Sequence, residues 1–308
     1  MNSKFAPIVI FNYARPDHTK ALLESLAMNP EVADSDVFIF CDGPKTDCSG
    51  VSMKNINLVR KIAKRFDKAR KVEVVSRNEN FGLAKSIITG VTDIINKYNR
   101  VIVLEDDLVL SPGFLNFMNQ SLEIYENVEG VDHISGYWYP HKWNSKLPET
   151  FFYRATSCWG WGTWKKSWEK LELDPVELRN KILRRKEKGK FNINNQYDFF
   201  SHLTMNVDGK LNTWAIKWYA SVFLKNGLCL HPSHSFVNNV GHDGSGENCG
   251  EDLKYVWREL NPGGAVEKIP VEESNCAIDI VGDFFKPPKV EKGIKVNIRK
   301  LLKFLRGK

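Results

Sequence analysis

The first 125 residues alternate short, near-continuous apolar runs with amphipathic ones, and this alternation constrains the fold more than any other feature. Pro7–Asn12 (PIVIFN), Val37–Cys41 (VFIFC), Val72–Ser76 and Val101–Leu104 (VIVL) read as strands. Pro16–Met28, Ile56–Phe66, Gly82–Tyr98 and Pro112–Tyr125 read as helices, with Leu83, Ile87, Val91 and Ile94/Ile95 along one stripe of the third. Pro16 suits a first helical turn, and Asp42-Gly43-Pro44 closes the second strand. A strand that is apolar along its length is covered on both faces, and helical crossovers join such strands in parallel. The expected class is therefore α/β, with a mostly parallel, Rossmann-like central sheet flanked by helices.

Ligands of such sheets bind at the carboxyl ends of the strands. Asn12–Arg15, Asp42, Gly82–Lys85 and Glu105–Asp107 all lie at or just beyond these ends, so they are expected to converge. Glu105-Asp106-Asp107 places like charges side by side, which is unfavourable until a cation resolves it. Hard oxygen donors suit Mg²⁺ or Mn²⁺, which takes one or two carboxylates together with substrate phosphates. A solvated acidic turn ahead of a helix is the plainer alternative, and the position after the fourth strand favours the metal. A dinucleotide site would need G-x-G-x-x-G after the first strand, where Asn12-Tyr13-Ala14-Arg15-Pro16 stands instead. No G-x-x-x-x-G-K-[ST] occurs either.

The second half is patterned differently. Residues 133–170 are rich in Trp, Gly and Tyr, residues 171–210 are charged and partly helical, Trp214–Asn226 reads as a helix and Leu228–Leu230 as a short strand. Trp161, Trp164 and Trp168 stand at i, i+3, i+7, which predicts a helix turned to the core for the last two. Trp159 and Trp161 alternate with glycines, so one of them is expected to offer its ring to a ligand, and Trp161 is the candidate. Val240–Gly250 (VGHDGSGENCG) has the composition of a loop that closes over a ligand, with His242 as a conceivable further metal ligand.

The expected organisation is one domain over residues 1–285, in two halves at 1–130 and 131–285, and a basic tail at 286–308. Lys289–Lys308 carries eight Lys/Arg against one Glu, which equals the whole chain's net charge of +7. Ile294, Ile298, Leu301 and Leu305 keep helical spacing there, the pattern of a helix lying on an anionic membrane surface. The charge excess sits on that tail, so no nucleic-acid partner is expected. Six scattered cysteines without a CxxC pair argue against a disulfide scaffold and a zinc ribbon. No run of 18 apolar residues occurs, and the expected setting is cytoplasmic, peripheral on the inner face of the membrane.

PIVIFNYARP, the strand ending in CDG, NFGLAKSI and VIVLEDDLVLSPGFLNFM together resemble glycosyltransferases of the GT-A fold. The likeness is to family 2 enzymes and, around Glu105–Asp107, to N-acetylglucosaminyltransferase I. Phe151–Trp168 (FFYRATSCWGWGTWKKSW) is similar to a segment of that enzyme and closer still to bacterial transferases of surface-polysaccharide synthesis. The resemblance covers roughly residues 5–250. It implies a metal-dependent, inverting transfer of a sugar from a nucleotide-sugar donor, a UDP-sugar, to a glycan or lipid-linked acceptor. Asn12 and Arg15 would lie by the nucleotide, and Asp42 would accept a hydrogen bond from uracil. Leu83 and Lys85 would flank the base and diphosphate. Glu105 and Asp106 would touch the donor's sugar and ribose, and Asp107 would hold Mn²⁺ or Mg²⁺.

The chain departs from its relatives at the general base. N-acetylglucosaminyltransferase I has an Asp directly after a Trp, where this chain has Trp214-Ala215. Asp208, in an Asp-Gly turn, and Asp243, in the glycine-rich loop, are the candidates, and Asp243 is preferred because loop closure would deliver it. Two other readings compete: a non-catalytic carbohydrate- or nucleotide-binding module, and a nucleotidyltransferase. The latter commonly opens with a glycine-rich phosphate loop after its first strand, which is absent here.

Overall fold

A computed structural model describes residues 4–141, 147–242 and 253–286. Its elements follow in chain order as β1 (Ile8–Asn12), α1 (Pro16–Ala27), β2 (Asp36–Cys41), α2 (Gly50–Arg65), β3 (Lys71–Ser76), α3 (Leu83–Tyr98), β4 (Arg100–Glu105), β5 (Leu108–Leu110) and α4 (Phe114–Ile124). Then come β6 (Val131–Ser135), β7 (Thr150–Tyr153), β8 (Trp161–Trp164), α5 (Lys165–Trp168), α6 (Pro175–Arg184), α7 (Lys188–Phe191), α8 (Phe199–Val207), α9 (Ala215–Leu224), β9 (Leu228–Pro232), β10 (Val237–Asn239) and α10 (Asn275–Phe285).

One eight-stranded sheet runs β3-β2-β1-β4-β8-β6-β9-β7. The first four strands pair in parallel; β8 and β7 run against their neighbours. The α/β class and the mostly parallel, helix-flanked sheet are thus as the patterning predicts. Strand alternation divides the core. Ile8 and Ile10 face α1, α2 and α4, where they meet Leu22, Leu26, Val59 and Leu115. Val9 and Phe11 face α3 and α9, where they meet Ile87, Val91 and Trp218. The sheet draws its first four strands from one half of the chain and the rest from the other, so the two halves share one backbone ladder.

The tryptophan run corrects one expectation. Trp161–Trp164 is strand β8, with Val103 opposite Trp161, and only Lys165–Trp168 is helical. Residues three apart share a helix face but lie on opposite faces of a sheet. Accordingly Trp161 packs on the α3 side, while Trp164 packs on the α4 side and donates its indole N–H to Leu122 O at 3.0 Å. Burial on both faces and ladder bonds to β4 override the helical spacing.

Candidate active site

β1 and β4 lie side by side with Phe11 opposite Glu105. From β1 the chain passes to β2 on one side; β4 joins on the other side after the crossover through α3. The loops that follow β1 and β4 therefore part, and a crevice opens between them at the carboxyl edge. A cleft of about 280 Å³ occupies this point. Asn12, Arg15, Asp42, Leu83 and all three acids of Glu105–Asp107 line it, so seven sequence-predicted residues do converge.

Arg15 sits at the N-cap of α1, and its guanidinium bridges the motif, bonding Asp106 and, at 3.0 Å, Asp107 Oδ2. The backbone N–H of Tyr13 also faces Asp106, at 3.4 Å. Asp106 and Asp107 are both buried. Burial opposes the Arg15 charge, and the two aspartates outweigh it, holding its pKa above the ordinary value. Asp106 is raised, by burial first and by Asp107, with Arg15 working the other way. Glu105 is pushed up to about 8 by burial and by repulsion from Asp107 and Asp106. Two aspartates share one guanidinium, which leaves an excess of negative charge on hard oxygen donors, the donor type a divalent cation takes. Among the described residues, no group of three or more His, Cys, Asp or Glu gathers with metal-holding geometry, so protein ligands there would be few.

The second half of the chain completes the site through a short antiparallel ribbon of β5 and β10. It brings Val240 N–H to the Asp107 carbonyl at 2.8 Å. Asn239 Nδ2 approaches Asp107 Oδ1 at 3.5 Å, and Asn239 Oδ1 accepts from Gly241 N–H at 2.8 Å. Gly241 presses on the carboxylate itself: a Cβ there would stand 2.3 Å from Asp107 Oδ2, so only glycine fits. Sequence reasoning missed Asn239, whose three-residue strand is too short to show a period. The Asn-Asn pair just before the glycine-rich loop was the one available signal.

Three expected roles change. Asp42 is not free to read a uracil. Its Oδ1 accepts from Gly43 and Phe81 N–H, each at 2.9 Å, and its Oδ2 from Gly82 at 3.0 Å and Phe81 at 3.2 Å. These contacts take up the carboxylate's four or so lone-pair directions. Asp42 instead pins the loop that starts α3, where Gly82 adopts φ 71°, a left-handed conformation favouring glycine. Asn12, by contrast, is buried, and neither amide atom has a hydrogen-bond partner among the described residues. Lys85 does not line the cleft; its Nζ lies 4.0 Å from the centre of the Phe81 ring. Trp161 is fully buried, stacked on Trp214 at 5.1 Å and on His133 at 5.2 Å. β8 begins at Trp161 and turns its ring into the core on the α3 side; Trp159, still in the preceding loop, lines the cleft and meets Tyr137 and His242 edge-on.

Of the proposed bases, Asp208 is displaced. It forms the C-cap of α8, pairs with Lys210 at 3.4 Å and does not line the cleft. Asp243 and the rest of the glycine-rich loop to residue 250 lie outside the described residues, as does the tail from residue 287. His242 stacks on Tyr255 at 4.7 Å, its Nε2 buried without a partner among the described residues. Among the described residues no helix is long and apolar enough to cross a membrane.

No protein-family model matches the sequence, and no curated protein matches it. Among solved structures, S. aureus TarS matches with a TM-score of 0.31 and 14% identity, over 48% of this chain and 25% of that one. The likeness thus spans half of this chain and a quarter of the other.

Proposed function

We propose that this chain is a metal-dependent glycosyltransferase of the GT-A type that moves a sugar from a nucleotide sugar, a UDP-sugar, to a glycan or lipid-linked acceptor. One observation carries the reading: three consecutive carboxylates at the end of β4 meet Arg15 and Asn239 in a cleft where the strand order reverses. The cleft's aromatic wall of Phe11 and Phe40, stacked at 5.4 Å, and the unpartnered Asn12 amide suit a flat base with a donor beside an acceptor. Trp159 offers a ring where the transferred sugar would sit.

Mn²⁺ or Mg²⁺ held by Asp107 would neutralise the nucleoside diphosphate as it leaves. The chain's own groups do the rest. Arg15 keeps Asp106 and Asp107 side by side, and the Asp42-pinned loop positions Leu83 against the base. A carboxylate must also take the proton of the attacking acceptor hydroxyl in an inverting transfer, and Asp243 has that role in this reading. Asp243→Asn is expected to lower acceptor transfer about a hundredfold or more, with donor affinity little changed. Asp208→Asn is expected to transfer at the parent rate. A normal rate for both variants rejects Asp243 as base.

The reading is tested with a panel of nucleotide sugars, following release of nucleoside diphosphate with and without acceptor. Release from one donor class supports it. Release of pyrophosphate from a nucleoside triphosphate and a sugar phosphate would establish the nucleotidyltransferase alternative instead. Binding without any release would identify a non-catalytic module.

A further inference from the structure

The body of the protein balances its charge only in sum. Residues 50–71 hold eight Lys/Arg against the single acid Asp67, and α2 itself holds five Lys/Arg and no acid. Ile56, Val59 and Ala63 of this helix are buried against the sheet. Lys54, Lys61 and Arg65, at i, i+7 and i+11, lie along the opposite face, with Lys64 at its margin. All four are exposed, and no ion pair joins any of them to a carboxylate among the described residues. Arg60, the remaining cation of α2, turns inward to the Arg77 carbonyl. Two aliphatic side chains stand on the same exposed stripe: Val51, 72% exposed, and Leu58, 38% exposed.

We propose that the outward face of α2 docks on an anionic lipid bilayer, independently of the C-terminal tail. Four unpaired cations on one face call for an anionic partner. The interleaved Val51 and Leu58 favour a bilayer over a nucleic acid. They can enter the headgroup boundary, whereas phosphate-backbone contacts would leave them in water. No aromatic ring lies along this stripe to stack on a base. The inference stands whether or not the cleft transfers sugar.

The test uses the full-length chain with the tail's eight Lys/Arg between Lys289 and Lys308 replaced by Gln, so that binding reports the body alone. This parent should co-sediment with vesicles of phosphatidylcholine and phosphatidylglycerol in equal parts, and not with phosphatidylcholine alone. Adding K54Q/K61Q/K64Q/R65Q should weaken partitioning by more than about tenfold, and V51S/L58S by a smaller factor. Unchanged circular dichroism and thermal midpoint would show that each variant is folded. Equal sedimentation of the parent and the four-Gln variant overturns the proposal. So does a parent that ignores anionic vesicles, including one that binds single-stranded RNA instead.

Discussion

Asp107→Asn is expected to lower metal-stimulated donor turnover by more than about a thousandfold, roughly 4 kcal/mol of transition-state stabilisation. Asparagine keeps the volume of the side chain, and the bond from Val240 N–H to the residue 107 carbonyl is a backbone contact that the substitution leaves alone. It removes a negative charge beside Asp106 but also Arg15's second partner, so thermal stability should change little while activity falls. The pairing of a lost rate with an undiminished Tm distinguishes a site residue from a structural one. Full turnover of the wild-type protein in excess chelator, or of Asp107→Asn with Mn²⁺, would reject the metal reading.

A second large effect is acid lability centred on His133. The ring is buried, and burial lowers its pKa to about 3. It has no room for a second proton: Nδ1 accepts from the Trp218 indole N–H at 3.0 Å, so Nε2–H donates to Ser157 O at 2.9 Å. His231, also buried, turns both ring nitrogens to the carbonyls of Tyr137 and Ala155, and two acceptors favour its charged form where burial disfavours it. In the unfolded chain His133 takes up a proton near pH 6.5. Its contribution to stability is therefore fully present above that pH and is lost as pH falls from about 6.5 toward the folded value. Between pH 7 and pH 5 it should cost about 2 kcal/mol. Glu105 and Asp106 work in the opposite sense, because their folded pKa values are raised and acid relieves their repulsion. The measurement is thus a difference. Denaturant unfolding at both pH values should show the wild type losing about 2 kcal/mol more than the His133→Gln variant. Parallel losses in the two proteins would show that the ring does not resist protonation in the fold.

The elements legible in the sequence were those whose own pattern determines them. β1, β2 and β4 are apolar between their ends because both faces are covered there, and α3 shows its stripe because one face alone is buried. β5, β8 and β10 escaped notice because each is three or four residues long and owes its conformation to a partner strand. The site divides in the same way. The acids of Glu105–Asp107 and Arg15 could be placed by their position after a strand. The contact of Asn239 with Asp107 spans 132 residues and no local spacing encodes it. Asp42 shows the reverse failure, since its place at a strand end was clear but its bonds to Phe81 and Gly82, about forty residues on, were not. The basic face of α2 was hidden by summation, its charge cancelled in the total by acids placed elsewhere.

The ribbon of β5 and β10 also sets a distance. Gly241 is held against the Asp107 carboxylate, and position 243 follows it by two residues in sequence. Two trans peptide units span at most about 7 Å between Cα atoms. In the proposed reaction a base at position 243 would therefore need no long segment to reach the Asp107 side of the cleft, and its effective concentration there would be set by those two units.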